Sequence, residues 1–146
     1  MSKLDLAPMP LKAGCVKDAG KTMGRGIFAT RLIEEGEIIE ICPIIKLVTP
    51  FRDLSIEVKH VCFDWAHLSQ EDGIQALVLG YGSLYNHANP SNASYSAEGG
   101  QFLVISAARM INADEQITIN YNFSSGGTTS TDDNWFQSRD IEVHSI

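Results

Sequence analysis

The apolar residues of this chain arrive in short runs rich in isoleucine and valine. Each run is closed by glycine, proline or a polar cluster, which leaves little room for helices. Ile38, Ile39 and Ile41 precede Pro43, and Ile44, Ile45, Leu47 and Val48 follow it before Pro50. β-Branched side chains lose rotamer freedom in a helix and pack well on a pleated surface, so such runs read as strands. Further short strands are expected at residues 14–17, 27–29, 60–65, 74–79 and 117–120. Residues 93–97 and 101–107 form a hairpin about Glu98, Gly99 and Gly100. Pro43 cannot donate to a ladder and is expected at an edge or a bulge. With no long amphipathic helix and no evident internal repeat, a mainly β domain is the expectation.

The 146 residues make one domain, enough to bury roughly 70% of the surface of the unfolded chain. No apolar run approaches the ~20 residues of a membrane span, and MSKLDLAPMP lacks the apolar centre of a secretory signal, so an intracellular protein is expected. Cytoplasm is the first choice of compartment, with nucleus or chromatin open. Cys15, Cys42 and Cys62 are too few and scattered for a disulfide framework, and no C-x-x-C pair marks a metal site, so reduced thiols and no metal are expected. The net charge of −7 is uneven: residues 1–73 carry 9 Lys/Arg against 11 Asp/Glu, and residues 74–146 carry 2 against 7. That balance argues against binding a phosphate backbone and suits a basic peptide.

The polar chemistry concentrates at residues 80–92, GYGSLYNHANPSN, where an aromatic and aliphatic run breaks into Asn86 and His87 and then into the turn formers Asn89, Pro90, Ser91 and Asn92. Upstream, Gly24 and Gly26 bracket Arg25 in GRGIFAT, a spacing that lets the backbone turn tightly and come close to a ligand. Downstream lies ADEQITINY, ending at Tyr121, and then Trp135 and Phe136 behind a Ser/Gly/Thr-rich stretch, where Asn134 or a nearby Asp would cap a short helix.

In this order and spacing the three segments resemble the SET-domain family of protein lysine methyltransferases. GRGIFAT is similar to the family's G-x-G-[ILV]-F-A opening, residues 86–92 to its NHS-C-x-P-N segment, and residues 113–121 to its GE-E-L-T-x-x-Y segment. The resemblance implies a SET-type (β-clip) arrangement of small curved sheets with short helices and a C-terminal segment threaded beneath the loop of the NH segment. It divides the chain into an irregular lead-in at 1–12, a SET domain at 13–123, and a flexible linker with a site-closing aromatic segment at 124–146.

It also implies S-adenosylmethionine as cofactor and a lysine-bearing protein as substrate, a histone or another basic protein, with no direct contact to nucleic acid or membrane. Tyr121 matches the catalytic tyrosine. Tyr85, Tyr95 and Phe123 are candidate walls of a lysine channel. Met23, Gly24, Arg25, Asn86 and His87 would meet the cofactor, and Trp135 would stack on its adenine. Ala88 stands where the motif has Ser, Asn89 where it has Cys, and Pro90 one place early, while Asn92 is in place. Cys42 lies near where relatives carry a Tyr. These departures keep open a SET-like module that binds without turnover. A hydrolase using Cys42 or Cys62 with His87 is a further alternative, from a different class.

Overall fold

In the computed structural model, residues 7–65, 74–122, 127–131 and 133–139 are described. Strand β3 (Ile38–Leu47) is the axis of the larger sheet. Its ten residues outlast any one neighbour, so it pairs first with β8 (Phe102–Ala107) and then, on its other side, with β5 (Gln75–Val78). The sheet is completed by β4 (Phe63–Asp64) and β7 (Ala93–Glu98) in the order β4-β5-β3-β8-β7. The second sheet runs β1-β2-β9-β6, from β1 (Gly14–Asp18), β2 (Arg25–Ala29), β9 (Gln116–Ile119) and β6 (Asn86–His87). Helices α1 (Ile56–Lys59) and α2 (Asn134–Arg139) are short, so the mainly β expectation holds.

Pro43 is not on an edge. It lies mid-sheet opposite Phe102, and the irregularity in β3 falls instead between Ile38 and Glu40. On the other side of β3, Ile41 bridges Met9, Pro43 accepts from the Leu79 amide, and Ile44 opens the β5 ladder. The missing N–H thus falls where the strand changes neighbours, and no ladder bond is lost. Of residues 60–65, only Phe63 and Asp64 are strand, because Ser55 caps α1 by accepting from the Val58 amide and His60 closes that helix. Within the expected linker, residues 127–131 are pinned: Thr128 accepts from the Ser91 amide, and Asn89 and Ser130 exchange side-chain and backbone bonds.

An internal repeat does exist. Ile27, Ala29, Arg31, Ile33, Glu37 and Ile39 recur at constant offset as Ile105, Ala107, Arg109, Ile111, Glu115 and Ile117. Both copies make the same turn, with Gly36 at φ 84° in one and Asp114 at φ 70° in the other. In each the glutamate accepts from both terminal guanidinium nitrogens and a backbone amide, Arg31 with the Glu34 amide and Arg109 with the Asn112 amide. The copies also complete each other: Ala29 pairs with Asp114 and Glu115, Ala107 with Gly36 and Glu37, and Ile33 bridges Ile111. Ile27, Ile33, Ile39, Ile105, Ile111, Ile117 and Ile119 are fully buried there, each worth roughly 1.5–3 kcal/mol of apolar burial. This double turn holds β2 against β9 and so fixes the frame of the polar segments.

Candidate active site

β6 lies parallel to β9, with Asn86 opposite Thr118 and His87 opposite Ile119. Asn92 locks the pair from the far end of its turn: its Nδ2 donates to the Gln116 carbonyl, its Oδ1 accepts from the Thr118 amide, and its amide donates to Thr118 Oγ1. Asn86 Nδ2 donates to the Arg25 carbonyl (2.9 Å) and to Gln116 Oε1 (2.8 Å), tying the glycine-rich loop to β9. A side chain at Gly26 would displace this link, since a Cβ there would stand 2.4 Å from Gln116 Oε1 and 2.8 Å from Asn86 Nδ2. Gly24, at φ 73°, has open space where its Cβ would be. The Gly24 amide donates to the Gly20 carbonyl and the Gly24 carbonyl accepts from the Ala19 amide, which closes this glycine-rich turn beside Asn86.

Beside the NH strand lies a pocket of about 480 Å³, partly open to solvent. Tyr85, Tyr95, Tyr121, Trp135, Cys62, Phe63, Asp64 and Gly82 are among its lining residues. Tyr85, Tyr95 and Tyr121 are thus brought together as expected walls, whereas Phe123 lies outside the described residues. Each hydroxyl proton is committed inward. Tyr121 donates to the Tyr85 carbonyl, Tyr95 to the Asn120 carbonyl (2.7 Å), and Tyr85 to Glu40 Oε1 (2.7 Å). What these phenols and carbonyls have left to offer a ligand is lone pairs. Burial pushes the Tyr121 phenol up, as it does that of Tyr95. The Tyr85 phenol is raised by burial and then by the Glu40 charge, so all three stay protonated near neutrality.

The His87 Nδ1 accepts from the Tyr121 amide (3.1 Å), and burial depresses its pKa against the opposing pull of Asp133. It is a neutral spacer between sheet and helix. Phe136 meets its edge at 4.8 Å, and Tyr121 packs at 5.4 Å. Trp135 closes on Tyr121 at 4.8 Å and donates its indole N–H to the Cys62 carbonyl (3.2 Å), which places it as a pocket wall beside the tyrosine. Asn122 Oδ1 accepts from the Trp135 amide at the start of α2, and Asp133 accepts from the Gln137 amide.

Several contributors escaped the sequence reading. Arg139 is buried, with its guanidinium between the rings of Phe51 (4.8 Å) and Trp135 (4.6 Å), donating to the Lys59 carbonyl (2.7 Å) and Gln75 Oε1 (3.0 Å). Glu40, 2% exposed, sits beneath the 79–85 turn. Phe136 was seen only as part of an aromatic pair. The thiols make poor nucleophiles: burial raises both Cys42 and Cys62, Cys42 lies against Gly82, and Cys62 bonds Gln75 and Arg139, so neither forms a dyad with His87. Among the described residues no group of His, Cys, Asp and Glu is arranged to hold a metal ion, and no helix is long and apolar enough to cross a membrane.

A family model described as SET domain matches residues 24–122. Among solved structures, a candidate histone methyltransferase of Plasmodium falciparum is similar at 25% identity and TM-score 0.61, over 77% of this chain and 96% of that one. A humanized mutant of the Chaetomium thermophilum Polycomb Repressive Complex 2 shares the fold at 22% identity and TM-score 0.57. A ctPRC2 structure bound to S-adenosylmethionine does so at 21% and 0.58; each match covers 77% of this chain and 15% of the other. No curated protein sequence matches the chain.

Proposed function

This chain belongs to the SET-domain family, and we propose that it is a protein-lysine N-methyltransferase, taking a methyl group from S-adenosylmethionine to the side-chain amine of a lysine in a basic protein. The observation that carries this reading is the pocket whose tyrosine hydroxyls all donate inward. Aromatic faces, phenol and carbonyl lone pairs and the acidic Asp64 among the lining residues fit an amine or methylammonium group far better than an anion. The pocket's tyrosines stay protonated near neutrality and do not serve as bases, and the amine reacts once its proton has left. About 0.4% of a free lysine is neutral at pH 8, and desolvation against Tyr95, Tyr121 and Trp135 enlarges that share.

The residues about Asn86 fit the cofactor. Asn86 is tied to the segment of Met23, Gly24 and Arg25, so the residues assigned to the amino-acid end lie together, and the open space at the Gly24 Cβ position leaves room for a ligand to approach. His87 contributes from the same strand through its backbone. When bound, S-adenosylmethionine supplies an electrophilic methyl on a sulfonium. The work of the chain is alignment and water exclusion: Tyr121 and the Tyr85 carbonyl present oxygen atoms around the reacting groups, and orientation of this kind accounts for about 7–11 kcal/mol of a barrier in favourable cases. Histones are among the candidate substrates, met inside the cell.

Calorimetry with S-adenosylmethionine, followed by labelled-methyl transfer into a mixed protein extract and peptide mapping, tests this. Binding with transfer to lysine is the expected result. Binding without transfer selects a non-catalytic SET-like module, and the absence of both binding and transfer overturns the reading.

A further inference from the structure

Glu40 is a buried acid in the middle of β3 that no step above uses. Its two oxygens serve a single distant element: Oε1 accepts from the Tyr85 hydroxyl (2.7 Å) and Oε2 from the Tyr81 amide (2.9 Å). Directly before Tyr81 stands Gly80, at φ 65°, where a Cβ would come within 2.5 Å of Glu40 Oε2, so the turn is cut to let the acid in. The same turn, continuing through the 3-10 segment Gly82–Leu84, supplies Gly82, Ser83 and Tyr85 to the pocket wall and ends in the carbonyl that accepts the Tyr121 hydroxyl.

We propose that Glu40 is a positioning residue: it clamps the 79–85 turn at both ends, so that the Tyr85 carbonyl is held where it orients the Tyr121 hydroxyl. For catalysis this rests on the methyltransferase reading above. Burying an acid in an apolar core costs several kcal/mol that a leucine or methionine would not, so packing alone gives no reason for it. Reaching one element with both oxygens does give a reason. The line from Glu40 to Tyr85 to Tyr121 joins the central strand of one sheet to the segment that leaves the other, and each link is a single hydrogen bond.

The test uses the full chain labelled with ¹³C at the tyrosine phenol carbon, whose four resonances are assigned by substituting the tyrosines one at a time. In Glu40→Gln, and independently in Tyr85→Phe, which keeps the ring, the Tyr121 resonance is expected to move. In methyl transfer kcat is expected to fall roughly tenfold or more, with peptide KM and cofactor Kd held within about twofold. A double variant no worse than either single one completes the result. An unmoved Tyr121 resonance in a folded variant overturns the proposal. So does a parallel loss of kcat, KM, Kd and melting temperature, which is the signature of a merely structural acid. If Glu40→Gln does not fold, Tyr85→Phe decides alone. If the unmodified chain transfers no methyl group, the methyltransferase reading fails while the resonance still decides the role of Glu40.

Discussion

Replacing Arg139 by alanine tests whether the pocket is closed by a docked helix. The side chain is 5% exposed, donates at 2.7 Å to the Lys59 carbonyl and at 3.0 Å to Gln75 Oε1, and lies between two rings. Hydrogen bonds from a charged donor are worth roughly 1.5–3 kcal/mol each and a desolvated cation–ring contact up to about 2 kcal/mol, but burying a guanidinium offsets several kcal/mol of that gain. The net loss in Arg139→Ala is therefore about 2–4 kcal/mol. It is capped by the free energy of docking α2, because the helix can come away without unfolding the sheets. Arg139→Lys is not expected to rescue, since an ammonium has no planar fork to span Lys59 and Gln75 while stacking on both rings. Denaturant unfolding, read beside Trp135 fluorescence, checks the stability. Peptide titration checks the function, where KM is expected to rise because Trp135 leaves the wall beside Tyr121. A variant with stability within about 0.5 kcal/mol of the parent and unchanged peptide affinity refutes the reasoning.

Tyr121→Phe keeps the ring contacts with Trp135, Phe136 and His87 and is expected to lose about 1 kcal/mol of stability while turnover falls roughly a hundredfold, measured by melting and single-turnover transfer. Tyr95→Phe frees the Asn120 carbonyl and adds room beside the amine. The natural protein is expected to give mainly monomethyl product and the variant a shift toward dimethyl and trimethyl, read by mass spectrometry of a peptide. Activity is expected to climb from pH 7 to about pH 9, and the slope reports the substrate amine, because burial holds the Tyr121 phenol protonated across that window. In acid, the arginine beside each carboxylate holds Glu37 and Glu115 below their ordinary value of 4.5. Their stabilisation is therefore present above that pH and lost as pH falls through the lowered values, so Glu37→Gln and Glu115→Gln are expected to flatten the stability curve there.

What was legible in the sequence were features whose cause is local. The β-branched runs made strands, Gly99 and Gly100 turned the hairpin, and the polar motifs marked the segments that meet between β6 and β9. Pro43 misled because the rule for proline in a sheet assumes one continuous neighbour on each side, and β3 changes neighbour at that residue. The double turn went unseen because its halves stand far apart in the chain, although R-x-I-x-x-[GD]-E is written twice and a self-comparison finds it. Glu40 and Arg139 left no local signal at all. Their partners lie 45 and 80 residues away, and an isolated Glu or Arg gives no sign of being buried until the fold brings those partners in.

The pocket is built from two kinds of wall, and under the proposed function the difference divides binding from chemistry. Tyr85, Tyr95 and Tyr121 stand on or beside strands locked by ladders, by Asn92 and by the double turn, so their oxygens are fixed to within the play of a sheet. Trp135 stands on a six-residue helix with no ladder; it is held by Asn122, Cys62 and the rings around Arg139. A group-transfer step needs a geometry that does not vary, and a protein substrate needs a wall that can admit and release its lysine. Changes along Glu40, Tyr85 and Tyr121 are thus expected to act on kcat, and changes at Trp135, Phe136 and Arg139 on KM. A reversal of that pattern would mean that the helix takes part in the alignment and the sheet wall only in capture.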